Sequence, residues 1–200
     1  MTLDVHAVLT DLRARHLGRN NRRAQTALDV PASVWLWNAC EREKAERVLE
    51  LGSGFSSWVL RHWQQRATGF MAPEVWTVDD ESKWLATTQL ELIEQGFTTF
   101  RTTEFQNVVL DDPIDYFDLV FVDLDNTATR IRHAADFVRW AKPGGLLVLD
   151  DWHMEHYREP MTRRLAALGI SVDALPETTD EWGRYLAVGR KGPFTGGVLR

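Results

Sequence analysis

Val48-Leu49-Glu50-Leu51-Gly52-Ser53-Gly54-Phe55-Ser56-Ser57 decides the fold, because it reads as a buried strand, a tight glycine turn and a helix start in succession. The apolar run Val48 to Leu51 is short and stops at two glycines, which suits a strand buried on both faces. Glu50 interrupts that run. A carboxylate near the carboxyl end of such a strand must find donors, and a ligand carrying hydroxyl or amino groups is one source. Gly52 and Gly54 permit positive φ and carry no Cβ to hold a ligand off the backbone. Ser56 or Ser57 can cap the helix that continues through Trp58, Val59, Leu60 and Trp63. Alone, the motif fits an ordinary strand-to-helix turn as well as a binding turn.

Working outward, Leu3, Val5, Val8, Leu9, Leu12 and Leu17 recur at helical spacing and predict an amphipathic helix over 3–17. Arg13, Arg15, Arg19, Arg22 and Arg23 then form a basic connector, either a solvated surface or a flap that meets an anionic substrate or partner. A second helix starts near Pro31 and ends before the charged run Glu41 to Arg47. These elements make an N-terminal helical segment over 1–45, ahead of a core at 46–190 in a single domain spanning 1–200.

Downstream of the opening stretch, a strand is expected from Val75 to Asp80, a helix from Ser82 to Glu94 stopped by Gly96, and a strand from Phe97 to Thr103. Phe117 to Asp123 reads as a strongly apolar strand. A helix carrying Ile131, Ala134, Phe137 and Trp140 leads to the turn Lys142-Pro143-Gly144-Gly145, and Leu146 to Leu149 is a strand ending in Asp150-Asp151. Arg158 to Leu168 is a last helix, followed by strands at 170–175 and 185–188. Strand and helix alternate, which implies an α/β fold with a mostly parallel, doubly wound sheet in three layers.

Composition narrows the function classes. The chain has 200 residues, 44% hydrophobic and 26% charged, as an ordinary globular domain does. A formal charge of −6 argues against a general nucleic-acid binder. Cys40 is the single cysteine, so an internal disulfide and a thiolate metal cluster are excluded. The amino terminus lacks a signal-peptide core, and no run approaches the roughly 18 apolar residues of a membrane span. A soluble, cytoplasmic protein with no membrane partner is expected, and a homo-oligomer stays open.

In parallel sheets, ligands bind at the carboxyl ends of strands, near the point where strand order reverses. Glu50, Asp79, Asp123, Asp150 and Asp151 all fall at or near such ends. Clustered like charges cost stability unless a ligand or cation offsets them, so their convergence is the main signal for a site.

With these landmarks in order, residues 46–190 resemble the class I S-adenosylmethionine-dependent methyltransferases. Glu50-Leu51-Gly52-Ser53-Gly54 is similar to the family's acid-x-Gly-x-Gly turn, Asp79 to the acid that holds the cofactor ribose, and Lys142 to Gly145 to the turn before its fifth strand. The resemblance implies a seven-stranded Rossmann-like methyltransferase fold with an antiparallel last strand. It also implies cofactor contacts from Glu50, Gly52, Ser53, Gly54, Asp79 or Asp80, and Asp123, with Glu104 and Phe105 near the adenine. A nicotinamide or flavin dinucleotide fold is the competitor, and it wants a small third glycine-type residue where Ser57 stands.

Two routes to methyl transfer are open. Asp123, Asp150 and Asp151 can bind Mg²⁺ and favour ionisation of a substrate hydroxyl. That trio resembles the metal site of the catechol O-methyltransferase-like enzymes, although Asp151 stands where they carry Asn and no lysine follows Asp123. Alternatively His153 or His156 serves as general base, with Asp123 beside the reacting atoms. Trp152, between the paired acids and His153, is expected to line an aromatic or apolar pocket. The expected activity is O-methylation of a small molecule. A non-catalytic cofactor-binding subunit and a nucleic-acid methyltransferase, the latter resting on Arg13 to Arg23, are the alternatives.

Overall fold

The computed structural model describes residues 3–18, 27–67 and 72–192. In chain order these form α1 (Val5–Leu17), α2 (Val30–Glu43), β1 (Arg47–Leu51), α3 (Phe55–Arg66), β2 (Glu74–Asp79), α4 (Ser82–Glu94), β3 (Arg101–Glu104) and α5 (Phe105–Asp111). There follow β4 (Phe117–Val122), α6 (Thr127–Arg132), α7 (Ala134–Trp140), β5 (Ala141–Leu149), α8 (Glu155–Ala167), β6 (Val172–Leu175) and β7 (Leu186–Arg190).

The strands make one seven-stranded sheet in the order β3-β2-β1-β4-β5-β7-β6. Strands β1 to β5 pair in parallel, and β7 runs antiparallel to both β5 and β6. The Rossmann-like sheet with its antiparallel last strand is therefore present.

Period-two alternation explains the three layers. Val48, Leu119, Phe121, Leu146 and Val148 pack on the face covered by α1, α2 and α3, while Leu49, Leu51, Val120, Val122, Leu147 and Leu149 face α5, α7 and α8. A strand with apolar residues at every position needs helices on both faces, and the chain supplies them. In α1, Leu9, Leu12 and His16 are the buried positions, so His16 shares the inward stripe of an otherwise polar helix.

Several boundaries differ from the sequence reading. Phe97 is not in a strand: its backbone N–H bonds to Leu92 O and its ring is buried, closing α4 after Gly96 at φ 86°. Strand β3 starts only at Arg101. Helix α5 was not anticipated, because only Phe105 and Val108 of its seven residues are buried and the periodic signal is too short. The helix expected before residue 142 is two, divided at His133. Lys142 to Gly145 lie within β5, whose pairing with β4 slips between Phe117 and Leu119.

Strand order reverses at β1, which pairs with both β2 and β4. There the chains approach closely: Asp123 N–H donates to Leu51 O at 2.6 Å and Gly52 N–H to Val78 O at 2.8 Å. Gly52 has φ 100°, and a Cβ on it would lie 2.1 Å from Asp123 O. Both the backbone angle and the contact exclude any other residue. Gly52→Ala is expected to destabilise the protein by several kcal/mol, read as a large fall in melting temperature or loss of soluble protein; a melt matching wild type would contradict this contact.

Candidate active site

The opening stretch folds as expected, but Glu50 does not line the cleft. It is fully buried behind the glycine turn, where its Oε2 accepts from Ser57 Oγ at 2.8 Å and from Thr77 Oγ1 at 2.7 Å. Ser57 Oγ in turn accepts from Gly54 N–H at 3.1 Å, so the carboxyl fixes the turn from below through one hydroxyl. Helix α3 begins at Phe55 with Gly54 as its N-cap, and Ser57 sits one turn inside it.

Arg61 completes this network from α3. It is buried, and it donates to Val75 O at 3.0 Å, Thr77 Oγ1 at 3.1 Å and Arg101 O at 2.9 Å. Burial pulls its pKa down to about 10, while the charge of Glu50 acts the other way. Burial pushes Glu50 up to about 7, against the hydroxyl donors and Arg61. Desolvation wins because three hydroxyls and one offset charge do not replace water around a carboxylate.

The turn opens on a cleft of about 230 Å³ at the carboxyl ends of β1, β2, β4 and β5. Gly52, Ser53, Gly54, Asp79, Asp123, Asp150 and Asp151 line it together, which is the convergence that the strand ends predict. Asp79 Oδ2 accepts from Ser53 N–H at 2.8 Å and Ser53 Oγ at 2.6 Å, and its Oδ1 accepts from Glu81 N–H at 2.9 Å. Asp80, the alternative ribose ligand, is exposed and outside the lining.

At the far end three carboxylates gather, with one oxygen from each of Asp123, Asp150 and Asp151 within 4.8 Å of the others. Neighbours in a strand point to opposite faces, so two adjacent acids would normally separate. Asp151 breaks the alternation with φ 58°, a left-handed conformation that Asp tolerates, and its N–H donates to Asp150 Oδ1 at 2.7 Å. Both acids thereby line the cleft.

Arg130 reaches into this group from α6, whose start is capped by Asn126. Its Nη2 lies 3.0 Å from Asp123 Oδ1 and 3.3 Å from Asp151 Oδ2, and the side chain is 2% exposed. Its Nε donates to Leu124 O, its Nη1 to Asp150 O at 3.4 Å, and the guanidinium lies over the Tyr157 ring at 5.5 Å. Burial and the neighbouring Asp150 hold Asp123 well above the usual carboxylate range, although Arg130 opposes them. Burial and Asp151 push Asp150 up to about 6.

A resident Mg²⁺ would take its oxygens from this trio. One oxygen each of Asp123 and Asp151 already pairs with a buried guanidinium whose positive charge occupies the trio, so the residues as arranged do not fit a hard dication.

The other expected contacts are placed elsewhere. Phe105 is 4% exposed and packed edge-on against His133, Phe137 and Trp140, which leaves no face for an adenine. Glu104 is exposed and accepts from Ser82 Oγ. Trp152 is 4% exposed against Tyr157, core rather than pocket wall. His153 is half-buried in the turn before α8 and His156 is exposed on α8; neither lines the cleft. Of the basic connector, Arg13 pairs with Asp29 and Arg15 with Asp11, while Arg19, Arg22 and Arg23 lie outside the described residues.

Trp84, His16, Asp125, Arg130 and Arg184 line the cleft without having been anticipated. Arg130 carried a readable signal, since it shares an apolar stripe with Ala134 and Phe137. Trp84, 40% exposed near the start of α4, stands near Asp79 on the cleft rim. His16 is buried between the Phe55 and Trp58 rings, with Nδ1 3.6 Å from Glu91 Oε2. No local pattern announces either contact.

Residues 49–152, a little over half of the chain, match the family described as methyltransferase domain. Among solved structures, the chain is similar to an O-methyltransferase from Bacillus cereus in complex with SAH, at 15% identity and a TM-score of 0.68, covering 96% of this chain and 92% of that one. It is also similar to the O-methyltransferase TomG from Streptomyces achromogenes in complex with SAM, at 16% identity and 0.65, covering 96% and 91%. The tRNA (m1A58) methyltransferase TrmI from Aquifex aeolicus matches at 16% identity and 0.63, covering 92% and 75%. At these identities the structures establish a shared fold. No curated protein matches the sequence.

The Glu50 shift has a consequence for stability. An acid whose folded pKa exceeds its ordinary 4.5 binds more protons folded than unfolded, so stability falls as pH rises from about 4.5 to about 7 and stays reduced above that. Glu50→Gln keeps the hydrogen-bonding shape without the charge. Chemical denaturation is expected to show the variant gaining on wild type across that window, by a few kcal/mol at pH 8; a pH-independent difference would contradict the buried shift.

Proposed function

Since the chain belongs to the methyltransferase domain family, we propose that it is an S-adenosylmethionine-dependent methyltransferase that methylates a hydroxyl oxygen of a small molecule. The observation that carries this reading is the joint lining of one cleft by the glycine turn and by Asp150, a carboxyl held near 6.

The residues present fit the cofactor. The space where a Gly54 Cβ would stand is open to 4 Å, as a backbone that must receive a ligand requires. Ser53 and Gly54 face the methionine portion, Asp79 offers carboxylate oxygens to the ribose hydroxyls, and Trp84 supplies a ring at the cleft rim. When bound, the cofactor supplies a methyl group on a sulfonium, which passes in line to the nucleophile and leaves a neutral thioether.

The chain's own task is to hold the acceptor and take its proton. A hydroxyl keeps its proton at neutral pH, and transfer leaves that proton to be removed. Asp150 and Asp123 share the reacting end, and a carboxyl poised near working pH can accept a proton that an ordinary aspartate, already ionised and weakly basic, accepts poorly. His16 and Arg184 close the cleft from α1 and the loop before β7.

Isothermal titration is expected to show one S-adenosylhomocysteine per chain, with Asp79→Asn weakening binding about tenfold or more through loss of a charge-assisted hydrogen bond. Binding should quench Trp84 fluorescence, seen as a difference from Trp84→Phe. Radiolabelled methyl transfer should then favour phenols or alcohols over amines. Wild-type protein that binds no S-adenosylhomocysteine sinks the reading; tight binding with no transfer to any nucleophile would instead mark a non-catalytic subunit.

A further inference from the structure

We propose that Arg130 takes the place of a bound cation at the reacting end, fixing Asp123 and Asp151 with its guanidinium so that methyl transfer proceeds without a metal. The proposal rests on the reading that this cleft holds S-adenosylmethionine.

Geometry carries it. A dication at the trio would draw on Asp123 and Asp151, and one oxygen of each already lies within 3.3 Å of Arg130 Nη2, which places a positive charge between them. The guanidinium is not a surface group that swings in by chance. Leu124 O and Asp150 O hold its Nε and Nη1, the Tyr157 ring lies beneath it, and 2% exposure leaves no solvent for it to retreat into. Every other anchor is backbone or core, so expelling Arg130 would strand a buried charge. A dication beside it would meet a fixed positive charge at close range.

Replacement of a metal by arginine changes what the site can do. Mg²⁺ would bind and polarise the acceptor oxygen directly. A guanidinium turned toward carboxylates instead holds them in one orientation and offsets their mutual repulsion, leaving proton acceptance to the carboxylates themselves. Arg130 is then a positioning residue. Asp151 fits this arrangement, because its negative charge pairs with Arg130 and needs no cation from solution.

Titration of Mn²⁺ into full-length protein saturated with S-adenosylhomocysteine, followed by loss of the free-ion electron paramagnetic resonance signal, tests the proposal. Wild type and Arg130→Lys, which keeps the charge, should bind no stoichiometric Mn²⁺. Arg130→Met leaves three carboxylates facing one another and should gain one Mn²⁺ per chain. In transfer assays Arg130→Lys should lower kcat roughly tenfold, through lost bidentate geometry, with little change in KM for the cofactor. One Mn²⁺ per wild-type chain overturns the proposal while leaving the cofactor reading intact, and so does a folded Arg130→Met protein that binds Mn²⁺ no better than wild type. Should Arg130→Met fail to fold, wild-type turnover decides: full activity in a chelator supports the proposal, and loss restored by Mg²⁺ overturns it. Failure to bind S-adenosylhomocysteine is a separate result that removes the underlying reading.

Discussion

The structure depends on the contact between Gly52 and Asp123, where the ends of β1 and β4 meet. Strand order reverses at β1, so the crossovers that follow β1 and β4 go to opposite faces of the sheet and a crevice opens between them. With a glycine at 52 the backbones close to hydrogen-bonding distance, and Asp123 N–H reaches Leu51 O. One side of this contact is the glycine turn on the cleft wall. The other carries the first carboxylate of the acidic trio. Their relative placement is set by main chain, which varies less than any side-chain arrangement.

Two buried arginines then organise the two ends by the same physics. Arg61 ties α3 to β2 and β3 behind the glycine turn, and Arg130 ties α6 to the loops after β4 and β5. Each costs desolvation and recovers it through several fixed acceptors. The outcomes for the acids differ. Glu50 has no direct contact with Arg61 and sits near 7, a structural carboxyl that steadies a turn through Ser57. Asp123 and Asp150 lie beside Arg130 in a cluster of acids, and burial first, then the neighbouring carboxylate (Asp150 for Asp123, Asp151 for Asp150), raises both. Structural and chemical acids are thus separated by what faces them, since both kinds are drawn from the same strand ends.

Much of this was legible in the chain. Apolar runs ending in acids gave the parallel sheet and the edge on which Asp79, Asp123, Asp150 and Asp151 converge, because burial on both faces leaves a strand no other composition. The role of Glu50 was not legible, since Ser57 and Thr77 reach it only in the fold. Arg130 shares an apolar stripe with Ala134 and Phe137, but which acceptors it meets is set only once α6 runs under the loops after β4 and β5. The family resemblance puts Phe105 near the adenine, and its place between the paired acids and His153 puts Trp152 on a pocket wall, whereas burial draws both rings into the core. His153 lies outside the cleft lining, after an Asp151 that turns left-handed, a backbone state that Asp does not announce. The briefest elements, α5 and β3, were the least readable, as a few residues carry too little periodicity.

The proposed cofactor cleft and the cation that the chain itself supplies are both addressed by one diffraction measurement. Crystals grown with S-adenosylhomocysteine and excess Mn²⁺, measured at the manganese absorption edge, should show the ligand between Gly52–Phe55 and Asp79, Arg130 among the three carboxylates, and no anomalous peak there. A manganese peak bound by Asp123, Asp150 and Asp151 with Arg130 displaced, or a cleft without ligand, would contradict this arrangement.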